Sequence, residues 1–128
     1  MPANGKTILV VDDQQDERII QRTMLTHLGY DVREAVDGQA GLEAARASPP
    51  DLVLMDVAMP RMDGFEACRQ LRDDPRTQAI PVLLFTASLV GEVSQRAEKA
   101  GASGILSKPV DPHEVADEIE RLLREGES

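Results

Sequence analysis

Four apolar runs in this chain end in residues that can bind charge or react. Thr7-Ile8-Leu9-Val10-Val11 stops at Asp12-Asp13, and Leu52-Val53-Leu54-Met55 stops at Asp56. Ile80-Pro81-Val82-Leu83-Leu84-Phe85 runs into Thr86-Ala87-Ser88, and the short Gly104-Ile105-Leu106-Ser107 is closed by Lys108-Pro109. Runs without polar alternation suit strands buried on both faces, as in a parallel sheet covered by helices. In such a sheet the strand C-termini share the edge where ligands bind, so Asp12, Asp13, Asp56, Thr86 and Lys108 are expected in one crevice. Singly, each has a plain structural reading: a strand-end Asp is often a helix cap, Thr a strand former, Lys a solvated end. Their coincidence at four strand ends favours a site.

The charges say what such a site could do. Three carboxylates in one crevice repel by about 4 kcal/mol per pair at roughly 4 Å and an effective dielectric of about 20. Lys108 supplies one compensating charge, and a divalent cation would supply two more. His27 and His113 lie on unrelated segments, so the donors are oxygens alone. Such donors select a hard cation: Mg²⁺ is expected, with Mn²⁺ an acceptable substitute, and zinc is not. A cation with open positions, a lysine and a strand-end hydroxyl would suit phosphoryl oxygens, with a carboxylate beside them as nucleophile.

Helices must carry the chain back between these strands. Ile20, Met24, Leu25 and Leu28 are expected on one arc of a first helix, stopped by Gly29. Residues 30–35 read as an edge strand, because Val32 is followed by charged Arg33 and Glu34. Asp37-Gly38 turns into a second helix carrying Leu42, Ala44 and Ala45, which ends before Ser48-Pro49-Pro50. After Asp63-Gly64, the spacing of Phe65, Cys68 and Leu71 predicts a third helix. A fourth is expected over 91–100 on Val93, Ala97 and Ala100, and a fifth from about 111 to 126 on Val115, Ile119, Leu122 and Leu123. Five strands alternating with five helices predict an α/β fold, a doubly wound five-stranded parallel sheet.

Composition narrows the function. At 128 residues the chain fits one domain. A net charge of −9 argues against direct nucleic-acid binding, which rests on Lys and Arg. Tyr30, Phe65 and Phe85 are the only aromatic residues, too few to stack bases or flavins. No apolar run approaches the roughly 18 residues of a membrane span, and residues 1–6 lack the apolar core of a signal peptide, so a cytoplasmic protein away from membranes is expected. Cys68 is the single cysteine. That excludes an internal disulfide or multi-Cys metal site and suits a small buried helix residue.

Asp12-Asp13 after an apolar strand, Asp56 before Met59-Pro60 and Asp63-Gly64, Thr86-Ala87, and Lys108-Pro109, in that order, resemble the receiver domain of bacterial two-component response regulators, the chemotaxis receivers among them. The resemblance covers residues 7–123. It implies a flavodoxin-like fold with strand order 2-1-3-4-5. It also implies that Asp56 takes a phosphoryl group from a sensor histidine kinase or a histidine phosphotransfer protein, changing the surface shown to a protein output target. Catalysis would be confined to the chain's own phosphorylation and dephosphorylation. By the same resemblance Asp13, Asp56 and the Ala58 backbone carbonyl hold Mg²⁺, with Asp12 assisting directly or through water. Lys108, the Thr86 hydroxyl and the Ala87 N–H take phosphoryl oxygens, and the Lys108-Pro109 bond is cis.

Two departures from the family pattern carry expectations of their own. Ile105 stands where many receivers have a Tyr or Phe that swings inward with Thr86, so a different switch is expected. Ala58 and Ser88 are small where faster-turnover receivers often carry an amide or acid, so a longer phosphoaspartate lifetime is expected. Two other functions compete with this one. A Mg²⁺-dependent phosphohydrolase would use an acid two residues beyond Asp56 to protonate the leaving group, and that residue is Ala58. A degenerate receiver that only binds a partner is at odds with intact Asp12, Asp13, Asp56, Thr86 and Lys108.

Overall fold

Ten elements alternate strictly along the chain: β1 (Thr7–Val11), α1 (Gln15–His27), β2 (Asp31–Ala35), α2 (Gly38–Ala47), β3 (Leu52–Asp56), α3 (Gly64–Arg72), β4 (Val82–Thr86), α4 (Val93–Ala100), β5 (Gly104–Ser107) and α5 (Pro112–Gly126). They come from a computed structural model that describes residues 5–126; residues 1–4, part of the stretch read for a signal peptide, lie outside the described residues. The strands form one sheet in the order β2-β1-β3-β4-β5, every pair parallel. This is the expected doubly wound, flavodoxin-like topology. No described helix is long and apolar enough to cross a membrane.

The period of two along each strand sorts the core into two layers. Leu9, Val11, Val53, Met55, Val82 and Leu84 face α2, α3 and α4, where Leu42, Ala45, Phe65, Cys68, Leu71, Ala97 and Ala100 meet them. Ile8, Val10, Leu52, Leu54, Leu83 and Phe85 face α1 and α5, where Leu25, Val115, Ile119 and Leu122 complete the second layer. The three interior strands are therefore apolar at every position but one end, Thr7 of β1, Asp56 of β3 and Thr86 of β4, because both of their faces are covered. Each large side chain so buried contributes about 1.5–3 kcal/mol, which fixes the level at which these strands end.

Several expected boundaries shift, each for a visible reason. In α1 the inward side chains are Gln21 and Leu25 with Met24 half-buried, whereas Ile20 is 59% exposed and Leu28 37%. At about 100° per residue Ile20 stands roughly 140° around the helix from Leu25, too far to share its face. Strand β2 begins at Asp31, leaving Tyr30 buried just ahead of it. Strand β4 begins at Val82, after Pro81, whose ring nitrogen has no hydrogen to give a ladder. Helix α4 begins at Val93, beyond Gly91, whose φ of +74° is not helical. Cys68 is fully buried, and burial pushes its thiol up to about 11.

Candidate functional site

Three strands deliver their ends to one level. Asp56 closes β3 and lies in register with Phe85 on β4, and Thr86, next on β4, lies in register with Ser107 on β5. The Lys108 N–H then donates to the Thr86 carbonyl at 2.7 Å, so the lysine leaves the sheet beside the threonine. On the other side Asp12 follows β1, with its N–H on the Ala35 carbonyl at 3.2 Å. The Lys108-Pro109 bond is cis, as expected.

The side chains converge as the strand ends require. Lys108 Nζ lies 2.8 Å from Asp56 Oδ1, 3.5 Å from Glu17 Oε1 and 4.0 Å from Asp12 Oδ2. Asp12, Asp13 and Asp56 each present a carboxylate oxygen, all within 4.8 Å of one another. Asp12 and Asp56 are buried and Asp13 half-buried. Asp12 is oriented from its own chain: its Oδ1 accepts from the Gln14 N–H at 2.9 Å, and its carbonyl from Arg18 Nη1 at 2.8 Å.

Electrostatics set the state of these groups. Burial is the largest influence on Asp12 and raises its pKa, joined by the nearby Asp56 and Glu17 charges against the pull of the Gln14 N–H and Lys108. Burial lowers the pKa of Lys108, but the Asp56 hydrogen bond and charge, with Asp12 and Glu17, outweigh it and raise it overall. The ammonium is therefore fixed as a cation. Three carboxylates with oxygen-only donors and one lysine fit a hard divalent cation.

The loop after Asp56 is tied down by backbone contacts. The Val57 N–H donates to the Phe85 carbonyl and the Gly64 N–H to the Val57 carbonyl, both at 2.8 Å. Gly64 has to be glycine, since a Cβ there would lie 2.5 Å from the Asp56 carbonyl oxygen. Asp63 caps α3 by accepting from the Glu66 N–H at 2.9 Å. Ala58, Ala87 and Ser88 are exposed around the cleft.

Thr86 is buried, and its hydroxyl donates to the Ser88 carbonyl at 3.0 Å. The hydroxyl is thus engaged by its own loop. Ile105 is not in the cleft: it sits half-buried on β5 against the layer under α2, α3 and α4. The sequence reading overlooked Glu17, in the first turn of α1, which the fold sets over Lys108. Its signal was position, because a helix starting directly after Asp12-Asp13 has its first turn at the strand-end edge.

The model of the response regulator receiver domain family matches residues 8–120. The chain belongs to this family. Receiver domains are the phosphoacceptor signalling modules of two-component systems and interact with histidine kinases and output partners. This receiver is 39% identical over 116 residues to protein PilH of Pseudomonas aeruginosa, covering 91% of this chain and 96% of that protein. It is 39% identical over 119 residues to the DNA-binding regulator RpaA of Synechocystis, covering 91% of this chain but 48% of RpaA. The receiver thus spans about half the length of the first curated relatives it matches. Among solved structures, chemotaxis protein CheY4 of Vibrio cholerae superposes with a TM-score of 0.87 at 31% identity, covering 92% of this chain and 98% of CheY4. The receiver domain of sensor histidine kinase PA1611 of P. aeruginosa, which holds magnesium in its active-site cleft, gives 0.87 at 28% identity, with 93% and 98% covered.

Proposed function

We propose that Asp56 is the phosphoacceptor of this receiver and that a phosphohistidine on a histidine kinase or phosphotransfer protein is its donor. The observation that carries this is a buried carboxylate at the end of a central strand, 2.8 Å from an ammonium and clustered with two further carboxylates. In the transfer an Asp56 Oδ lone pair forms the new O–P bond while the P–N bond to the donor imidazole breaks. The imidazole leaves with the bonding pair and takes up a proton. Lys108 meets the charge of one phosphoryl oxygen, and the Thr86 hydroxyl and Ala87 N–H take others, which requires Thr86 to release the Ser88 carbonyl.

Asp13, Asp56 and the Ala58 carbonyl would hold Mg²⁺, with Asp12 directly or through water, and Mn²⁺ would substitute. Bound there, the cation supplies the positive charge that three carboxylates and a phosphoryl group need. Catalysis is confined to this chain's own phosphorylation and dephosphorylation, and the output passes to a protein partner in the cytoplasm. The test is uptake from a small phosphodonor such as phosphoramidate with Mg²⁺, read by intact mass. Wild type gains one phosphoryl group and Asp56→Asn gains none; equal uptake by the two overturns the assignment.

A further inference from the structure

Glu17 brings a fourth carboxylate to the cleft without joining the three that could hold a cation. Its Oε1 lies 3.5 Å from Lys108 Nζ, while the cluster of mutually close oxygens comprises Asp12, Asp13 and Asp56 alone among the described residues. The best contact of Lys108 is with Asp56 at 2.8 Å, and Glu17 faces it at a longer range from the side opened to solvent, 38% exposed. A carboxylate at that range does not clamp the ammonium. It acts through its charge, cancelling part of the positive charge that Lys108 offers an incoming anion.

We propose that Glu17 is a positioning residue that weakens the cleft's hold on a phosphoryl group by competing for Lys108. The inference rests on the assignment of Asp56 as phosphoacceptor. A phosphoryl group on Asp56 needs Lys108 turned toward its oxygens, and Glu17 draws the same ammonium toward α1. Its own charge also repels those oxygens. A charge at N3 of α1 has a purely structural explanation too, the favourable interaction of an acid with a helix N-terminus. The two explanations differ in what they do to cations and anions at the cleft. A charge effect has opposite signs for the two, whereas a loss of structure weakens both.

The experiment measures Mg²⁺ binding alone, then beryllofluoride binding at saturating Mg²⁺, by calorimetry on wild type, Glu17→Gln, Glu17→Asp and the remote control Glu98→Gln. In Glu17→Gln, Mg²⁺ affinity falls about twofold while beryllofluoride affinity rises about three- to eightfold at low salt, the size expected for one charge several ångströms away in a wet cleft. Both differences shrink toward zero at about 0.5 M salt, where the screening length is only a few ångströms. Glu17→Asp, which keeps the charge, stays close to wild type, and Glu98→Gln shows neither change. Equal affinities in wild type and Glu17→Gln, or a fall for both ligands, overturns the role of Glu17 while leaving Asp56 in place. Failure of wild type itself to bind beryllofluoride overturns both readings.

Discussion

Lys108 Nζ touches Asp56 Oδ1 at 2.8 Å although β4 lies between β3, which ends in Asp56, and β5, which Lys108 follows. The contact spans β4 because Thr86, at its end, receives the Lys108 N–H on its carbonyl and so seats the lysine at the sheet edge, two residues beyond Leu106, which shares the register of Asp56 and Phe85. The pair is unequal. Asp56 is buried, whereas the Lys108 side chain keeps 27% of its exposure, so water tempers the attraction.

That inequality predicts opposite effects for the two partners in metal-free protein. Lys108→Met leaves Asp12 and Asp56 facing each other without its charge and is expected to cost about 1–3 kcal/mol, less than the roughly 3–5 kcal/mol of breaking a fully buried pair because Lys108 is partly exposed. Asp56→Asn removes one of the repelling charges and leaves Lys108 with Glu17 and Asp12, so stability rises. Urea denaturation in EDTA measures both, and added Mg²⁺ should restore much of the Lys108→Met loss. A fall for both variants would mean that attraction, not repulsion, dominates the cleft.

Gly64 is expected to be intolerant of any side chain. The Cβ of Gly64→Ala would meet the Asp56 carbonyl oxygen at 2.5 Å and Val57 Cα at 2.9 Å, both backbone atoms that cannot step aside alone. Overpacking of this kind costs about 1–3 kcal/mol or more. The displaced segment also carries the Ala58 carbonyl, so Mg²⁺ affinity should fall together with the urea midpoint. Unchanged Mg²⁺ binding would separate this loop from the metal site.

The pH dependence of stability has a clear contributor away from the cleft in Asp74. Arg76 donates from Nη2 to Asp74 Oδ2 at 2.8 Å and from Nε and its backbone N–H to Oδ1, and Arg46 approaches from α2 at 3.1 Å. The Arg76 side chain above all, then its N–H, holds the Asp74 carboxyl at about 2, below its ordinary 3.8. A depressed carboxylate stabilises the fold above its unfolded value, and that contribution is lost as pH falls through the folded one. The stability difference between wild type and Asp74→Asn should be flat at neutral pH and close between pH 3.8 and about 2. A difference that is unchanged down to the lower limit would remove Asp74 from the account.

Legibility in the sequence followed burial. Strands β1, β3 and β4 are interior and buried at almost every position, so their apolar runs and the strand-end residues Asp12, Asp56 and Thr86 could be read directly. Helix α1 was harder because its inward stripe includes the polar Gln21, while apolar Ile20 faces out. Apolar periodicity follows side-chain type and cannot anticipate a polar residue turned inward. Glu17 escaped for a related reason: an acid in the first turn of a helix is commonplace, and only the placement of that turn beside Lys108 gives it a role.

A long phosphoaspartate lifetime is expected from the two small residues at the rim. Hydrolysis needs a water held in line with the phosphorus. Ala58 and Ser88 are exposed, and neither has a side chain long enough to hold one. The double variant Ala58→Asn, Ser88→Glu should release phosphate faster than wild type, followed by intact mass after donor removal. Equal decay would strip these positions of the role.

The last prediction concerns the route from Thr86 to the surface. To reach a phosphoryl oxygen Thr86 must give up its bond to the Ser88 carbonyl, which frees the segment between β4 and α4, where Leu89 and Val90 stand exposed. Ile105, beside Leu84 in the sheet register, is half-buried against the layer under α2, α3 and α4. It is β-branched, with few χ1 states on a strand, and carries neither a ring nor a hydroxyl to exchange between surface and interior. Ile105 is therefore expected to keep its rotamer on phosphorylation, and the change in surface to fall on residues 86–91. A partner responds only to the difference in its affinity for the two states, so a change confined to one loop should alter partner affinity modestly. Methyl NMR of Ile105 with and without beryllofluoride tests this directly. A χ1 change at Ile105 larger than the movement of residues 86–91 would place the switch where an aromatic residue puts it, and the loop route would fall.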